Sequence, residues 1–314
     1  PILTSNRWPP RAPPPMELRQ LRYFAAIAAE RSFTKAAEKL HISQPPLSQQ
    51  MSNLEQELGV RLLVRTSRSV ELSEAGRVFL PHVVTVLERL EEGRAQLARV
   101  ARGLEGRVTV GLTGSHFLGP LPRFIQAFRQ QRPRVEVVLL EMAPVDQFTA
   151  LGDRGIDLCF SRGIPDTPAF ASDLLWRDTP VVVLPPGHPL AGREGLRLAE
   201  LRDEDFVFFR LGSSLFVDAI HGACIFARFE PRIVQQVVEV SAVLNLVAAG
   251  LGVSVVPGSI AAQRAESVAI CPLVVEEPQA PRISADVFLV RRKDEERAAV
   301  LALSDALRDW AARR

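Results

Sequence analysis

The stretch SFTKAAEKLHISQPPLSQQMSNLEQELG, residues 32–59, predicts two helices joined by a tight turn. The first helix has a narrow apolar face of small side chains, formed by Ala36, Ala37 and Leu40. In the second helix, apolar residues recur at spacings of four and three, the pattern of one buried helix face. They are Leu47, Met51, Leu54 and Leu58. Since small side chains let a second helix cross closely, the two faces predict a packed helix-turn-helix unit.

Residues at both ends of the second helix indicate where it begins and where it stops. Ser43 is expected to cap its start by accepting a hydrogen bond from a free backbone N–H group. Pro45 and Pro46 fall in the first turn, where the helix needs no backbone donors. Gly59 suits the left-handed residue that ends a helix.

The opposite face of the second helix begins with polar residues and carries no acid until Glu55. These polar residues are Gln44, Ser48, Gln49 and Ser52. Gln and Ser side chains can hydrogen-bond base edges in the major groove of DNA, and a helix N-terminus suits a phosphate. An ordinary helical hairpin with a solvated face fits the same residues, so this segment alone leaves both interpretations open.

A basic hairpin is predicted directly after these helices. Two short extended runs, 62–64 and 69–72, flank a turn at 66–68, and the arginines around it are Arg61, Arg65 and Arg68. A basic β-wing beside the second helix indicates a winged helix-turn-helix, with the helix in the major groove and the wing on the DNA backbone. We predict base contacts from Gln44, Pro45 and Ser48, phosphate contacts from Thr34, Arg65 and Arg68, and further DNA contacts from Ser43 and Gln49.

The run from Met16 to Gly76 resembles the amino-terminal domain of LysR-type transcriptional regulators. The residues that carry this resemblance are LRYFAAIAAERSFTKAAEKLHISQPPLSQQMSNLEQELGVRLLVRTSRSVELSEAG. Pro46 and Gln49 stand where the family more often has a small residue and an Arg, which bears on the operator sequence and not on the fold. The resemblance implies a winged helix-turn-helix domain over 16–73 that binds double-stranded DNA at a two-fold-related operator.

Length and composition indicate a soluble protein of two or three domains. The 314 residues exceed one ordinary hydrophobic core, and 47% hydrophobic with 24% charged residues is a globular composition. No apolar run approaches the roughly 20 residues that span a membrane, and the first residues do not form a secretory signal, so a cytoplasmic location is expected. Residues 1–15 are rich in proline and are expected to be a disordered or non-native extension. The net charge of +2 means that a DNA footprint must be local.

The sequence offers no catalytic or cofactor motif. It contains no G-x-S-x-G, no H-E-x-x-H and no P-loop, so we predict neither an enzyme nor a bound cofactor or metal. The cysteines have neither metal-site nor disulfide spacing and are predicted to be buried thiols. They are Cys159, Cys224 and Cys271.

A long helix is expected next, within a linker and hinge that cover 74–106, with Ser73 as its cap. Apolar residues recur there at alternating spacings of four and three, which indicates a coiled-coil seam between two chains. These seam residues are Phe79, Val83, Val86, Leu90, Gly93, Leu97, Val100 and Leu104. The alternative is a helix that packs on its own domain. In the resembling family this helix joins two chains, which implies a homodimer and, by further assembly, a homotetramer.

From Arg107 onward, short apolar runs alternate with amphipathic ones, which predicts an open, largely parallel α/β sheet. A longer extended run, 176–184, is followed by a second set of similar elements. Residues 107–290 resemble the family's effector-binding region, a two-lobed sensor like a periplasmic binding protein, through FRQQRPRVEVVLLEM, GIDLCFSR, VVVLPPGHPLA and VAAGLGVSVVP. The resemblance implies an effector-binding domain over 107–314, with one lobe at 107–178 plus 282–314 and the other at 179–281.

Ligands of open α/β folds lie at the carboxyl ends of strands, against helix N-termini. Small hydroxyl residues, helix ends and two arginines at those positions suit a carboxylate, so we predict an organic acid as effector. The candidate side chains are His116, Phe117, Arg162, Arg210, Phe216 and Glu239. The alternative is that Arg162 and Arg210 only form ion pairs with surface acids such as Asp166 and Asp205.

Within the family, the sequence looks most like the branch that senses muconate, benzoate or chlorinated catechol products. That resemblance implies that Ser115 binds a carboxylate, while Pro144 replaces a hydroxyl residue and removes one donor. We therefore predict a regulator of transcription controlled by a small molecule. The alternative is a solute-binding or enzymatic α/β protein whose helical appendage does not bind DNA.

Overall fold

The computed structural model describes residues 16–65, 70–274 and 281–313, and of Arg65 it describes only the backbone. The chain forms two compact units, Pro1–Ala98 and Arg99–Arg314. The predictions for residues 1–15, for Arg68 and for the side chain of Arg65 lie outside the described residues.

Three helices form the core of the first unit: α1 (Leu18–Glu30), α2 (Phe33–Lys39) and α3 (Gln44–Leu58). The side chains of Phe24, Leu47 and Leu54 are completely buried between them. Leu18, the first residue of α1, is 44% exposed and does not belong to this core. The periodicity that predicted the second helix is confirmed.

The start of α3 differs from the prediction in one contact. Ser43 is the N-cap residue, but its side chain makes no capping hydrogen bond. A capping oxygen bonds the N–H group of the second or third helical residue, and in this helix those residues are Pro45 and Pro46, which have none. At the other end, Gly59 has a φ of 70°, so the left-handed ending is confirmed.

A two-stranded wing follows α3. Its strands, β1 (Leu63–Arg65) and β2 (Val70–Leu72), are antiparallel. The wing is tied to α3 by the Glu55 carboxylate, whose Oε1 accepts hydrogen bonds from the backbone N–H groups of Leu62, at 2.7 Å, and Leu63, at 3.0 Å. This predicted winged arrangement is confirmed for the described residues.

The long helix α4 (Glu74–Ala101) is capped as predicted, because the Ser73 Oγ accepts a hydrogen bond of 2.9 Å from the Gly76 N–H. The predicted seam residues fall into two groups, a buried group near the start of α4 and an exposed group further along it. Val83 is only 1% exposed and packs with Phe79 in the core of the first unit, so these two residues are not a free seam. The Phe79 ring lies 5.9 Å from that of Phe24. Further along, Leu97 is 70% exposed.

The second unit contains two α/β lobes. In the first lobe the strands are β3 (Gly106–Leu112), β4 (Val135–Glu141), β5 (Leu158–Ser161), β6 (Phe170–Trp176) and β12 (Val287–Arg292), in the order β4-β3-β5-β12-β6. β3 is parallel to β4 and β5, whereas β12 is antiparallel to β5 and β6. The sheet is therefore mixed and less parallel than predicted. Its helices are α5 (Gly114–Phe117), α6 (Leu121–Gln131), α7 (Pro144–Gly152) and α11 (Ala298–Ala311).

In the second lobe, β7 (Pro180–Leu184) lies between β10 (Ser254–Pro257) and β11 (Ala269–Pro272), antiparallel to both. A parallel pair, β8 (Asp205–Phe209) and β9 (Arg232–Val237), completes it. Its helices are α8 (Leu215–Phe226), α9 (Val240–Ala248) and α10 (Gly258–Ala261).

The chain passes between the lobes twice. The single extended run predicted over 176–184 is wrong, because it comprises the end of β6 in one sheet and β7 in another, separated by residues 177–179. On the return passage, Ile283 and Ala285 still pack in the core of the second lobe.

The three cysteines are free and buried, as predicted. Burial raises the pKa of the Cys159 thiol to about 12 and, together with the charge of Glu230, raises that of Cys224 to about 12 as well. Among the described residues, no three metal-ligating side chains come together, and no helix has both the length and the apolarity needed to cross a membrane.

Candidate DNA interface and effector cavity

The α3 residues predicted to contact DNA are accessible at the start of the helix. Ser43, Gln44, Pro45 and Gln49 are exposed, and Ser48 is half-buried. Thr34, predicted to contact a phosphate, is exposed at the start of α2, and its hydroxyl lies 3.4 Å from the Gln44 Oε1. The structure therefore brings the start of α2 and the start of α3 to one polar surface.

The first acid of this helix, Glu55, was identified in the sequence, and the structure shows what its carboxylate contacts. Glu55 is the first acid of α3, and the hydrogen bonds to the wing hold its carboxylate at the C-terminal half of the helix. A carboxylate near the helix start would repel phosphates, and residues 44–54, the first three turns of α3, contain no acid.

A cavity of about 210 Å³ lies between the two lobes of the second unit. Six of the predicted effector residues line it: Ser115, His116, Pro144, Arg162, Phe216 and Glu239. Phe148, Phe160 and Phe209 add aromatic walls that the sequence analysis did not assign to the site. They come from α7, β5 and β8, and the position of Phe160 and Phe209 at strand ends was the available signal.

Two predicted residues are not brought to this cavity. Phe117 follows the buried His116 in α5, so its side chain points away and is 37% exposed. Arg210 follows Phe209, which lines the cavity, and successive residues of an extended chain face opposite sides. Its side chain is exposed, and its backbone N–H bonds the Val237 carbonyl at 2.8 Å.

A short hydrogen-bonded chain orients the hydroxyl and imidazole groups of the first lobe. The Thr113 Oγ1 lies 3.0 Å from both the Ser115 Oγ and the His116 Nδ1. The Thr113 backbone N–H also donates to the His116 Nδ1, at 3.3 Å, so Nδ1 is an acceptor and Nε2 carries the proton. Burial, with the charge of Arg162, lowers the pKa of His116 to about 3, so its ring is neutral at physiological pH.

Arg162 is held in a buried network at the crossing between the lobes. Its Nη1 donates to the Asp178 carboxylate at 2.9 Å and to the Ala285 carbonyl. Asp178 also accepts hydrogen bonds from the backbone N–H and the hydroxyl of Ser259. Burial lowers the pKa of Arg162, and Asp178 opposes that effect. The predicted alternative, an ion pair of Arg162 with a surface acid such as Asp166, is wrong, because Arg162 pairs with the buried Asp178.

Two nitrogen donors, on residues that line the cavity, have no acceptor among the described residues. They are the His116 Nε2 and the Arg162 Nε, both buried. Buried donors are nearly always hydrogen-bonded, because an unsatisfied one costs about 1–3 kcal/mol. Both residues line the cavity, together with Ser115.

The wall from the second lobe includes two carboxylates. Glu239 lines the cavity as the N-cap residue of α9, and Asp218 lines it from the first turn of α8. Burial, and next the charge of Glu141, raises the pKa of the Glu239 carboxyl.

A winged helix-turn-helix joined to a two-lobed α/β domain with a polar cavity defines a DNA-binding regulator with a ligand-binding domain. Residues 18–77 match the family model "Bacterial regulatory helix-turn-helix protein, lysR family", and residues 101–312 match "LysR substrate binding domain". This chain belongs to the LysR family of transcriptional regulators. The resemblance noted in the sequence is confirmed, including its likeness to the muconate, benzoate and chlorocatechol branch.

Relatives match over nearly the whole chain. The transcriptional regulator BenM of Acinetobacter baylyi is 35% identical over 304 residues, which cover 93% of this chain and 95% of BenM. The regulator AlsR of Bacillus subtilis is 38% identical over 246 residues, which cover 78% of this chain and 81% of AlsR. The crystal structure of full-length CbnR complexed with its target DNA matches with a TM-score of 0.73 and 30% identity, covering 94% of this chain and all of that one.

Proposed function

We propose that this chain binds an operator through the polar start of α3, with Gln44, Pro45 and Ser48 at base edges and Thr34 at a phosphate. The exposure of these residues and the absence of an acid from residues 44–54 support this proposal. The related CbnR is described in complex with its target DNA. The exposed seam residues of α4, such as Leu97, would join two chains and present two copies of α3 to a two-fold-related site.

The effector in this proposal is a small carboxylate bound in the cavity between the lobes. The observation that carries it is the pair of buried donors without an acceptor, the His116 Nε2 and the Arg162 Nε. An ionised carboxylate is an acceptor only, with about four lone-pair positions, so it can satisfy both and also accept from Ser115. The phenylalanines of the cavity provide apolar walls for the rest of the molecule.

Binding at this position can control transcription because both lobes line the cavity. A ligand shifts a conformational equilibrium only when it binds one arrangement more tightly than the other. A carboxylate that bonds the first lobe while its body contacts Phe216 in the second favours the closed arrangement of the lobes.

Calorimetric titration with benzoate, adipate and related acids tests the effector proposal. Ser115→Ala removes one donor to a charged ligand and should cost about 1–2 kcal/mol, or roughly 5- to 30-fold in Kd. Ser241→Ala, at an exposed position outside the cavity, is the matched control and should bind like wild type. Operator binding should be retained in both variants. Equal affinity of wild type and Ser115→Ala for a bound acid would place the site elsewhere.

A further inference from the structure

Residues 99–106, which we call the joint, connect the end of α4 to the start of β3. Gly103 follows the last turn of α4 in the left-handed conformation, with a φ of 63°. Its N–H donates to the Val100 carbonyl at 3.0 Å, and the N–H of Leu104 donates to the Arg99 carbonyl at 2.9 Å. These two bonds form a Schellman motif, which satisfies the last carbonyls of a helix. The whole joint belongs to the second unit.

Gly103 is buried against the start of α11. A β-carbon there would lie 2.5 Å from the Ala298 carbonyl oxygen, so a side chain at this position would overlap the backbone. The Gly103 carbonyl accepts a hydrogen bond of 3.0 Å from the Nη1 of Arg132, the C-cap residue of α6. Because the donor is charged, this bond is of the stronger class. Two helices of the first lobe therefore hold the end of α4.

A carboxylate within the joint adds a further contact. The Glu105 Oε2 accepts a hydrogen bond of 2.8 Å from the Arg99 Nε and lies 4.0 Å from the Arg134 Nη1. The Gly106 N–H donates to the Arg134 carbonyl at 3.2 Å. The joint is therefore tied to the first lobe at several points along its length.

A continuous series of ring contacts, which we call the aromatic column, runs from the cavity toward this joint. In order, its rings belong to His116, Phe160, Trp176, Trp310, Phe124 and Phe128, and neighbouring centroids lie between 5.3 and 6.3 Å apart. The first two of these residues line the cavity. At the other end, the guanidinium carbon of Arg132 lies 5.9 Å from the centre of the Phe128 ring, a cation–π contact.

We propose that Arg132 is a positioning residue that couples the cavity to α4. Its guanidinium packs on the last ring of the aromatic column and holds the Gly103 carbonyl, so a displacement at the cavity moves the end of α4 together with the first lobe. Protein interiors are close-packed and transmit such strain. This inference rests on the proposed function, in which a ligand in the cavity controls a DNA-binding protein.

Energetic coupling between two sites is reciprocal, so it can be measured without a known effector. If the cavity biases α4, then DNA that fixes α4 must also bias the cavity. The probe is a DNA duplex that the wild-type, full-length protein selects from genomic fragments. Hydrogen exchange, which reports local opening, is followed at the joint amides of Gly103 and Leu104 and at the α5 amides of His116 and Leu118. All four N–H groups donate backbone hydrogen bonds.

Three variants separate the parts of the coupling. Arg132→Met removes the guanidinium and keeps an apolar chain on Phe128. Trp176→Leu interrupts the aromatic column and leaves the contacts of the joint in place. Arg129→Met is the matched control, because Arg129 lies on the same helix, carries the same charge and also donates to a backbone carbonyl, that of Val137 within the lobe.

In wild type and Arg129→Met, the duplex should change the exchange rates of the α5 amides about fivefold or more. Without DNA, Arg132→Met should exchange its joint amides about tenfold faster than wild type, since a hydrogen bond from a charged donor is lost. It should also lose the DNA-dependent change at α5 while still binding the duplex. Trp176→Leu should keep the slow exchange of the joint and lose only the change at α5.

Each contrary result identifies the part that fails. Equal exchange of the joint amides in wild type and Arg132→Met would show that Arg132 does not hold the end of α4. A DNA-dependent change at α5 that is missing from wild type, or that persists in Arg132→Met, would refute the coupling, and its persistence in Trp176→Leu would refute the aromatic column as its route. If wild type selects no duplex, the proposed operator binding fails, and the joint amides still decide the role of Arg132.

Discussion

The exposed part of the α4 seam makes a sharp prediction about assembly. Leu97 is 70% exposed in the isolated chain, so most of its side chain remains available to pack against a second chain. Leu97→Ala removes three carbon groups, each contributing about 0.8 kcal/mol when buried. We multiply this free energy by the exposed fraction of Leu97 and double it, because a symmetric dimer contains two copies of the residue. The dimer should then lose about 3.4 kcal/mol of association free energy, which corresponds to roughly a 300-fold higher dimer Kd.

Sedimentation equilibrium over a range of concentrations measures that dimer Kd directly. Leu97→Met keeps a similar volume and apolar area and serves as the matched control, with little expected change. Val83→Ala serves as the folding comparison, because Val83 is buried in the first unit. It should lower the free energy of unfolding by about 1.6 kcal/mol or more. An unchanged dimer Kd for Leu97→Ala would show that this helix face does not join two chains.

Two further predictions concern DNA sequence preference and acid stability. Gln44→Ala should lose about 1–3 kcal/mol of binding to the preferred operator and less to one with the contacted base changed; fluorescence anisotropy that finds the same loss on every DNA would contradict base contact. Burial alone would raise the pKa of Glu295, but hydrogen bonds from Arg297 and Arg292 outweigh it and lower the pKa to about 2. Because the pKa of Glu295 in the folded state lies below the ordinary 4.5, its ionised carboxylate stabilises the folded protein above pH 4.5. This contribution to the free energy of unfolding, about 3 kcal/mol, is lost as the pH falls toward 2. Urea unfolding of wild type and Glu295→Gln from pH 7 to 3 should show a flatter curve for the variant, and parallel curves would refute the assignment.

The sequence by itself predicted the DNA-binding module well, because its signals are local. The spacing of Leu47, Met51 and Leu54 requires one buried helix face, and all three side chains are buried. Gly59 and Ser73 act within one turn of the helices they end or begin. The missing Ser43 cap was also decidable locally, since Pro45 and Pro46 have no N–H group to donate.

The candidate effector cavity was predictable only in part. Six predicted residues line it because the carboxyl ends of neighbouring parallel strands meet at one edge of a sheet. Phe117 and Arg210 were misplaced by one position each, beside His116 and Phe209. A shift of one residue reverses which side of a strand a side chain faces and rotates it by more than a quarter turn on a helix.

The tertiary structure alone decided which distant groups meet. Arg162 bonds Asp178, 16 residues away, and the carbonyl of Ala285, 123 residues away. Glu141 and Glu239 come from different lobes and converge on Gly114. The spacing of apolar residues specifies which face of each element is buried, but not where the chain crosses between lobes or how far those lobes close. The charges on the two walls of the cavity, and thus the chemistry of its ligand, depend on those crossings.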